Sequence, residues 1–147
     1  MGTRLFFEHE SVFNHYAASH RHGDVLQTTH WGKLKGTTGW DYYPLAVEDN
    51  GAIQASALIL ARKLPLPGQT LFYSPRGPLF SSLEALRKLL SAGRELGHEK
   101  KAILWKMDPP LPAGDSIWQD CCVEHKLIPI DTGLNFEGVQ PRFIMDL

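Results

Sequence analysis

A surplus of either charge sign is missing from this chain. Fifteen Lys and Arg against sixteen Asp and Glu leave a formal net charge of −1 over 147 residues. That balance gives no global attraction to nucleic acid or to an anionic membrane, so a polyanion has to be met by a local patch. Long apolar runs are missing too: no uninterrupted stretch approaches the length that crosses a bilayer. With 43% hydrophobic and 21% charged residues the composition is that of a soluble globular chain, long enough for one domain and short for two. The opening residues, Met1 to Glu8, hold an apolar patch but no long hydrophobic region and no small-residue cleavage site, so a secretory leader is not expected and a cytoplasmic location follows by default.

Cysteine is nearly absent. The two present, Cys121 and Cys122, are neighbours that would close a strained ring and have no third thiol to pair with, which excludes a disulfide framework and leaves two reduced thiols. His125 follows them at helical spacing, but no CxxC or HxxxH set accompanies it, and His20 and His22 around Arg21 read as solvated loop residues. No metal and no cofactor are assigned. Nor is there a GxSxG, a P-loop, a dinucleotide GxGxxG or an HExxH anywhere in the chain.

What is present reads as alternating helices and strands. Ser11 to His20 has apolar residues at helical spacing, and Thr28 or Thr29 caps a short helix on which Trp31 and Leu34 share a face. Strands are expected over Tyr42–Glu48 and Ala52–Leu64, joined by Asn50-Gly51, the strongest local turn signal in the chain. The second run is small or apolar through Leu60, as a central strand buried on both faces would be. Leu71 to Ser74 gives a third strand and Ala102 to Met107 a fourth. Between them a helix starts near Leu83, capped by Ser81 or Ser82, with Gly97 as its stop. A last helix runs from Asp115 or Ser116 to about Lys126, and Val139 to Leu147 closes the chain as a strand. This order predicts an α/β (α+β) layer with a mixed, largely antiparallel central sheet flanked by helices, the arrangement of acyltransferase-like folds.

Three places carry chemistry. Tyr73-Ser74-Pro75-Arg76-Gly77-Pro78 is a stiff turn: two prolines fix φ, Gly77 allows close approach of another group, and Arg76 is presented either to an anion or simply to solvent. Asp108, where the fourth strand gives out before Pro109-Pro110, is placed either for chemistry over the sheet's end or to cap its own turn. Lys33 and Lys35 close the short helix; for Lys35 the plain role is to complement the helix's C-terminal dipole.

The ordered series Leu26-Gln27-Thr28-Thr29-His30-Trp31-Gly32-Lys33-Leu34-Lys35, Tyr73-Ser74-Pro75-Arg76-Gly77-Pro78, Lys106-Met107-Asp108-Pro109, then Gln140-Pro141-Arg142 with Asp146-Leu147, resembles the N-terminal half of the FemABX peptidyltransferases. The resemblance covers nearly the whole chain and implies a GNAT-like subdomain spanning residues 1–147, with the family's second subdomain and its tRNA-contacting arm expected after Leu147. It implies transfer of an amino acid from aminoacyl-tRNA to the stem peptide of a peptidoglycan precursor, UDP-MurNAc-pentapeptide or its lipid-linked form, in the cytoplasm or peripherally at the inner face of the membrane. By the same resemblance Lys35, with Lys33 as the alternate, pairs with the precursor's diphosphate; Trp40, Tyr73, Arg76 and Gly77 join it in substrate binding; and Asp108 orients or deprotonates the attacking amine. Aminoacyl-tRNA would be met by the absent half, and the isolated chain would be inactive. Two other classes stay open: a free-standing GNAT-like N-acyltransferase using acyl-CoA, whose [QR]xxGx[GA] pyrophosphate loop is not found here, and a non-catalytic module, dimerising through an exposed subdomain interface.

Overall fold

In the computed structural model the described residues are 1–112, 114–130 and 142–147. Among these residues eight strands form one sheet: β1 (Gly2–Leu5), β2 (Asp41–Asp49), β3 (Ala52–Lys63), β4 (Thr70–Ser74), β5 (Leu79–Phe80), β6 (Ala102–Met107), β7 (Ile128–Ile130) and β8 (Arg142–Asp146). The order across the sheet is β1-β2-β3-β4-β6-β8-β7, with β5 pairing β3 beyond the end of β4. All the pairs are antiparallel except β4 with β6. The helices are α1 (Glu10–Ser19), α2 (Thr29–Gly36), α3 (Leu83–Glu99) and α4 (Ser116–Glu124), with a single 3₁₀ turn at Val25–Gln27 ahead of α2.

The hairpin sits where the sequence puts it. Asn50 and Gly51 have φ of 50° and 78°, the pair of positive values that a two-residue turn matched to strand twist requires. β3 is the central strand, and Ala55 through Ala61 are all buried. Its odd and even positions feed different cores. Ala57, Ile59 and Ala61 face α3 and the larger core with Phe72, Trp105 and Met145; Leu58 and Leu60 face a smaller core with Phe6 and Phe13, under α1 and α2. α3 supplies Leu86, Leu89 and Leu90 to the larger core, all fully buried, each worth roughly 1.5–3 kcal/mol on leaving water.

Gly97 does not stop α3. The helix runs on to Glu99, and Gly97 is buried in its last turn, where a side chain would run into Leu147; Lys101, with φ of 59°, ends the helix instead. Three short strands were not legible: β1, β5 and β7 have four residues or fewer, too short for alternation to show. The expected C-terminal strand is seen from Arg142 on, while Val139 to Pro141 lie outside the described residues.

Candidate functional site

Because β4 and β6 are parallel neighbours, their carboxyl ends lie side by side, with Tyr73 level with Lys106 and Ser74 with Met107. The chain leaves the first at Pro75 and the second before Pro109, residues that cannot continue a ladder. Asp108 ties the two exits together. Its side chain is buried, its Oδ2 accepts the phenol O–H of Tyr73 at 3.0 Å, and its Oδ1 accepts the backbone N–H of Arg76. A carboxylate taken out of water needs donors of this kind. Arg76 itself sits at φ of 58°, a left-handed conformation that costs a non-glycine residue about 1 kcal/mol or more. The bond from its N–H to Asp108 offsets that cost within the turn.

The same turn is held from the other side by Gln27. Between Ser56, which pairs β5, and Leu60, which pairs β4, β3 has a gap in its ladder where the turn stands away from the sheet. The fully buried Gln27 amide fills it: Oε1 accepts the N–H of Leu58 at 3.0 Å and Nε2 donates to the carbonyl of Pro75 at 2.7 Å. This side chain replaces a missing strand rung. It also explains Gly77, since a methyl there would stand 2.4 Å from the Gln27 amide. Gly77 and Pro78 are joined by a cis peptide bond.

A second cluster lies toward the start of β2. Lys33 and Trp40 line an open concavity of about 590 Å³ with Phe7, Asp41, Tyr42 and Tyr43. Glu10 is the hub beneath it, accepting from Lys33 Nζ at 2.7 Å, Tyr42 O–H at 2.9 Å and Thr29 O–H at 3.1 Å. The Lys33 hydrogen bond, outweighing the opposing effect of burial, holds the Glu10 carboxyl below its ordinary range. Burial, with Glu10 adding to it, pushes the Tyr42 phenol up to about 12. Arg62 lies 5.5 Å from the Trp40 ring centroid, a second cation near this cluster.

The predicted site residues therefore fall into two groups. Tyr73, Arg76, Gly77 and Asp108 meet at the ends of β4 and β6; Lys33 and Trp40 share the concavity near Arg62. Lys35 is not on that wall: its ammonium stands 5.3 Å from the Trp31 ring centroid, and its carbonyl accepts the N–H of Trp40 at 3.3 Å. The structure adds Gln27, Glu10 and Lys106, the last with its ammonium 5.2 Å from the Tyr73 ring centroid. Only tertiary packing reveals them, because each acts on a residue more than fifteen positions away. Among the described residues no group of His, Cys, Asp or Glu could hold a metal, and no helix is long and apolar enough to cross a membrane. Burial above all pushes the thiols of Cys121 and Cys122 up to about 11 and 12, which suits packing rather than ligation.

The fold as a whole is shared with solved structures. A crystal structure of FemX superposes with a TM-score of 0.78 at 30% identity, covering 96% of this chain and 36% of that one. The ribosomal-protein-alanine N-acetyltransferase from Brucella melitensis superposes at 0.58 with 14% identity over 99% of this chain and 98% of that one, a likeness of fold that makes the architecture GNAT-like. In sequence, a lipid II:glycine glycyltransferase of Staphylococcus aureus is 34% identical over 135 residues, 88% of this chain. The chain spans about a third, 32%, of that relative's length. The FemAB family model matches residues 9–127, and with the paired strand ends and the FemX likeness it places this chain in the FemAB family.

Proposed function

We propose that this chain is the acceptor-binding subdomain of an aminoacyltransferase that moves an amino acid from aminoacyl-tRNA to the stem peptide of a peptidoglycan precursor. The observation that carries it is Asp108, a buried carboxylate fixed between Tyr73 and the Arg76 N–H at the open ends of two parallel strands. The reaction is aminolysis of an ester. The incoming amine, with an ordinary pKa near ~10.4, has to shed a proton as it attacks, and a positioned carboxylate can accept or steer it. Lys33 and Arg62, near Trp40, supply cations for the precursor's diphosphate, while Lys35, two positions further along α2, stands over Trp31. Family membership and likeness to the glycyltransferase support the reading. Aminoacyl-tRNA would be bound by a further subdomain, so the isolated chain binds acceptor without turning it over, at the cytoplasmic face where such precursors are built.

The test is a titration of ¹⁵N-labelled protein with UDP-MurNAc-pentapeptide. The Trp40 indole and the Lys33–Lys35 amides should shift; no perturbation at millimolar precursor sinks the proposal. A thermal shift with acetyl-CoA, absent on this reading, would favour the acyl-CoA alternative instead.

A further inference from the structure

A cleft of about 470 Å³ opens beside the Pro75–Pro78 turn, between the last turn of α1 and the segments that follow the two strand exits. Its size falls within the roughly 300–1,000 Å³ of small-ligand sites. The polar groups on its floor are already satisfied within the protein. Tyr16 O–H donates to the Gln54 carbonyl at 3.1 Å, and Ser19 O–H to that of His15 at 2.8 Å. His20 accepts the N–H of His22 at Nδ1, 3.0 Å away, and so carries its proton on Nε2, which donates to the Phe80 carbonyl at 2.9 Å. With Leu79, Leu111 and Ile117 on its walls, the interior offers a ligand apolar contact and little else.

The mouth is different. Arg21, His22 and Asp115 stand there, and neither the Arg21 guanidinium nor the His22 ring has a hydrogen bond among the described residues. Asp115 spends one oxygen, Oδ1, on capping α4 through the Trp118 N–H at 2.9 Å, and among the described residues Oδ2 has no hydrogen bond. Burial above all, with the Arg21 charge beside it, holds the His22 imidazole below its ordinary range, so it offers a neutral N–H. One guanidinium, one imidazole N–H and one carboxylate around an apolar cavity fit a carboxylate and an amide N–H carried on small apolar residues. That is the end of a peptide.

Strand register says whose peptide. Along β3, Arg62 lies near Trp40, Leu60 is level with Tyr73, and Ser56 is level with Leu79 in the cleft wall. From Arg62 to Ser56 the strand rises about 20 Å. The diphosphate patch, the Asp108 carboxylate and the cleft are thus three successive stations, with the reacting position in the middle. Resting on the function proposed above, we infer that the cleft binds the carboxyl-terminal end of the acceptor stem peptide, its carboxylate on Arg21 and His22 and an amide N–H on Asp115.

The test compares UDP-MurNAc-pentapeptide with the same precursor shortened by its last two residues, using ¹⁵N-labelled protein. The intact precursor should shift both the Trp40 indole and the His22 and Phe80 amides. The shortened one should shift Trp40 alone and bind about fivefold more weakly, the discrimination expected of half-exposed charged hydrogen bonds. Arg21→Met should erase that difference without weakening the shortened precursor. If Trp40 responds while His22 and Phe80 respond to both precursors alike or to neither, the cleft assignment is overturned and the acceptor-binding reading stands. If Trp40 is silent to both, the acceptor-binding reading falls and the cleft assignment with it.

Discussion

Gln27 is the residue on which the turn's geometry depends. Replacing it with Leu keeps the volume but orphans the Leu58 N–H and the Pro75 carbonyl, two buried backbone groups costing about 1–3 kcal/mol each. Gln27→Leu should therefore lower unfolding free energy by about 2–6 kcal/mol in urea titration. Gly77→Ala should cost about 1–3 kcal/mol by overpacking against the same amide, and less when Gln27 is already Ala, because the clash partner is gone. A double-mutant cycle reads that coupling directly. For Asp108 the distinguishing pair is Asp108→Asn and Tyr73→Phe in a full-length family enzyme carrying this subdomain. A general base predicts a kcat loss of about 10²–10⁴ for the first and a much smaller one for the second. Equal losses would mean that the carboxylate only braces the turn. Glu10 gives a pH test. Its folded pKa is lowered, so its contribution is present above the ordinary value of 4.5 and is lost as pH falls through the lower folded value. Wild type should lose stability over that acid window, and Glu10→Gln should flatten the loss in thermal melts taken from pH 6 downward.

At the level of elements, α3 shows what a sequence announces well. Leucines at helical spacing and a serine at its head gave the helix, and Ser82 accepts the Ala85 N–H at 3.2 Å as a cap should. Ser82→Ala should cost about 1 kcal/mol, seen as a lowered Tm in calorimetry. The hairpin and the central strand were equally legible, because turn chemistry and unbroken apolar runs are local signals. Helix stops and short strands were not: Gly97 looks like a terminator and is a packing residue, and β5 exists only because β3 runs on past the residues that pair with β4. The site follows the same division. Arg76, Gly77 and Asp108 stood out as turn residues at a strand end, whereas Gln27, though inside the quoted series, and Glu10 show no role by periodicity and act through contacts between segments distant in the chain. Lys33 and Lys35 differ by two positions on one helix, and only the packing of α2 separates the lysine in the concavity from the one over Trp31.

Across the whole molecule the last strand has the most to answer for. β8 lies between β6 and β7 and brings Met145 into the larger core. A chain ending at Ile130 should lose cooperative unfolding and its near-ultraviolet circular dichroism, since β7 then has no neighbour and β6 an open edge. During synthesis the ribosome faces that situation with every copy. Everything through β7 emerges before the strand that must slide in between, so β6 waits as an unpaired hydrogen-bonding edge until residues 142–146 clear the exit tunnel. At a synthesis rate of about 5–20 residues per second that interval is seconds long, long enough for a chaperone, or another nascent chain, to reach the edge first.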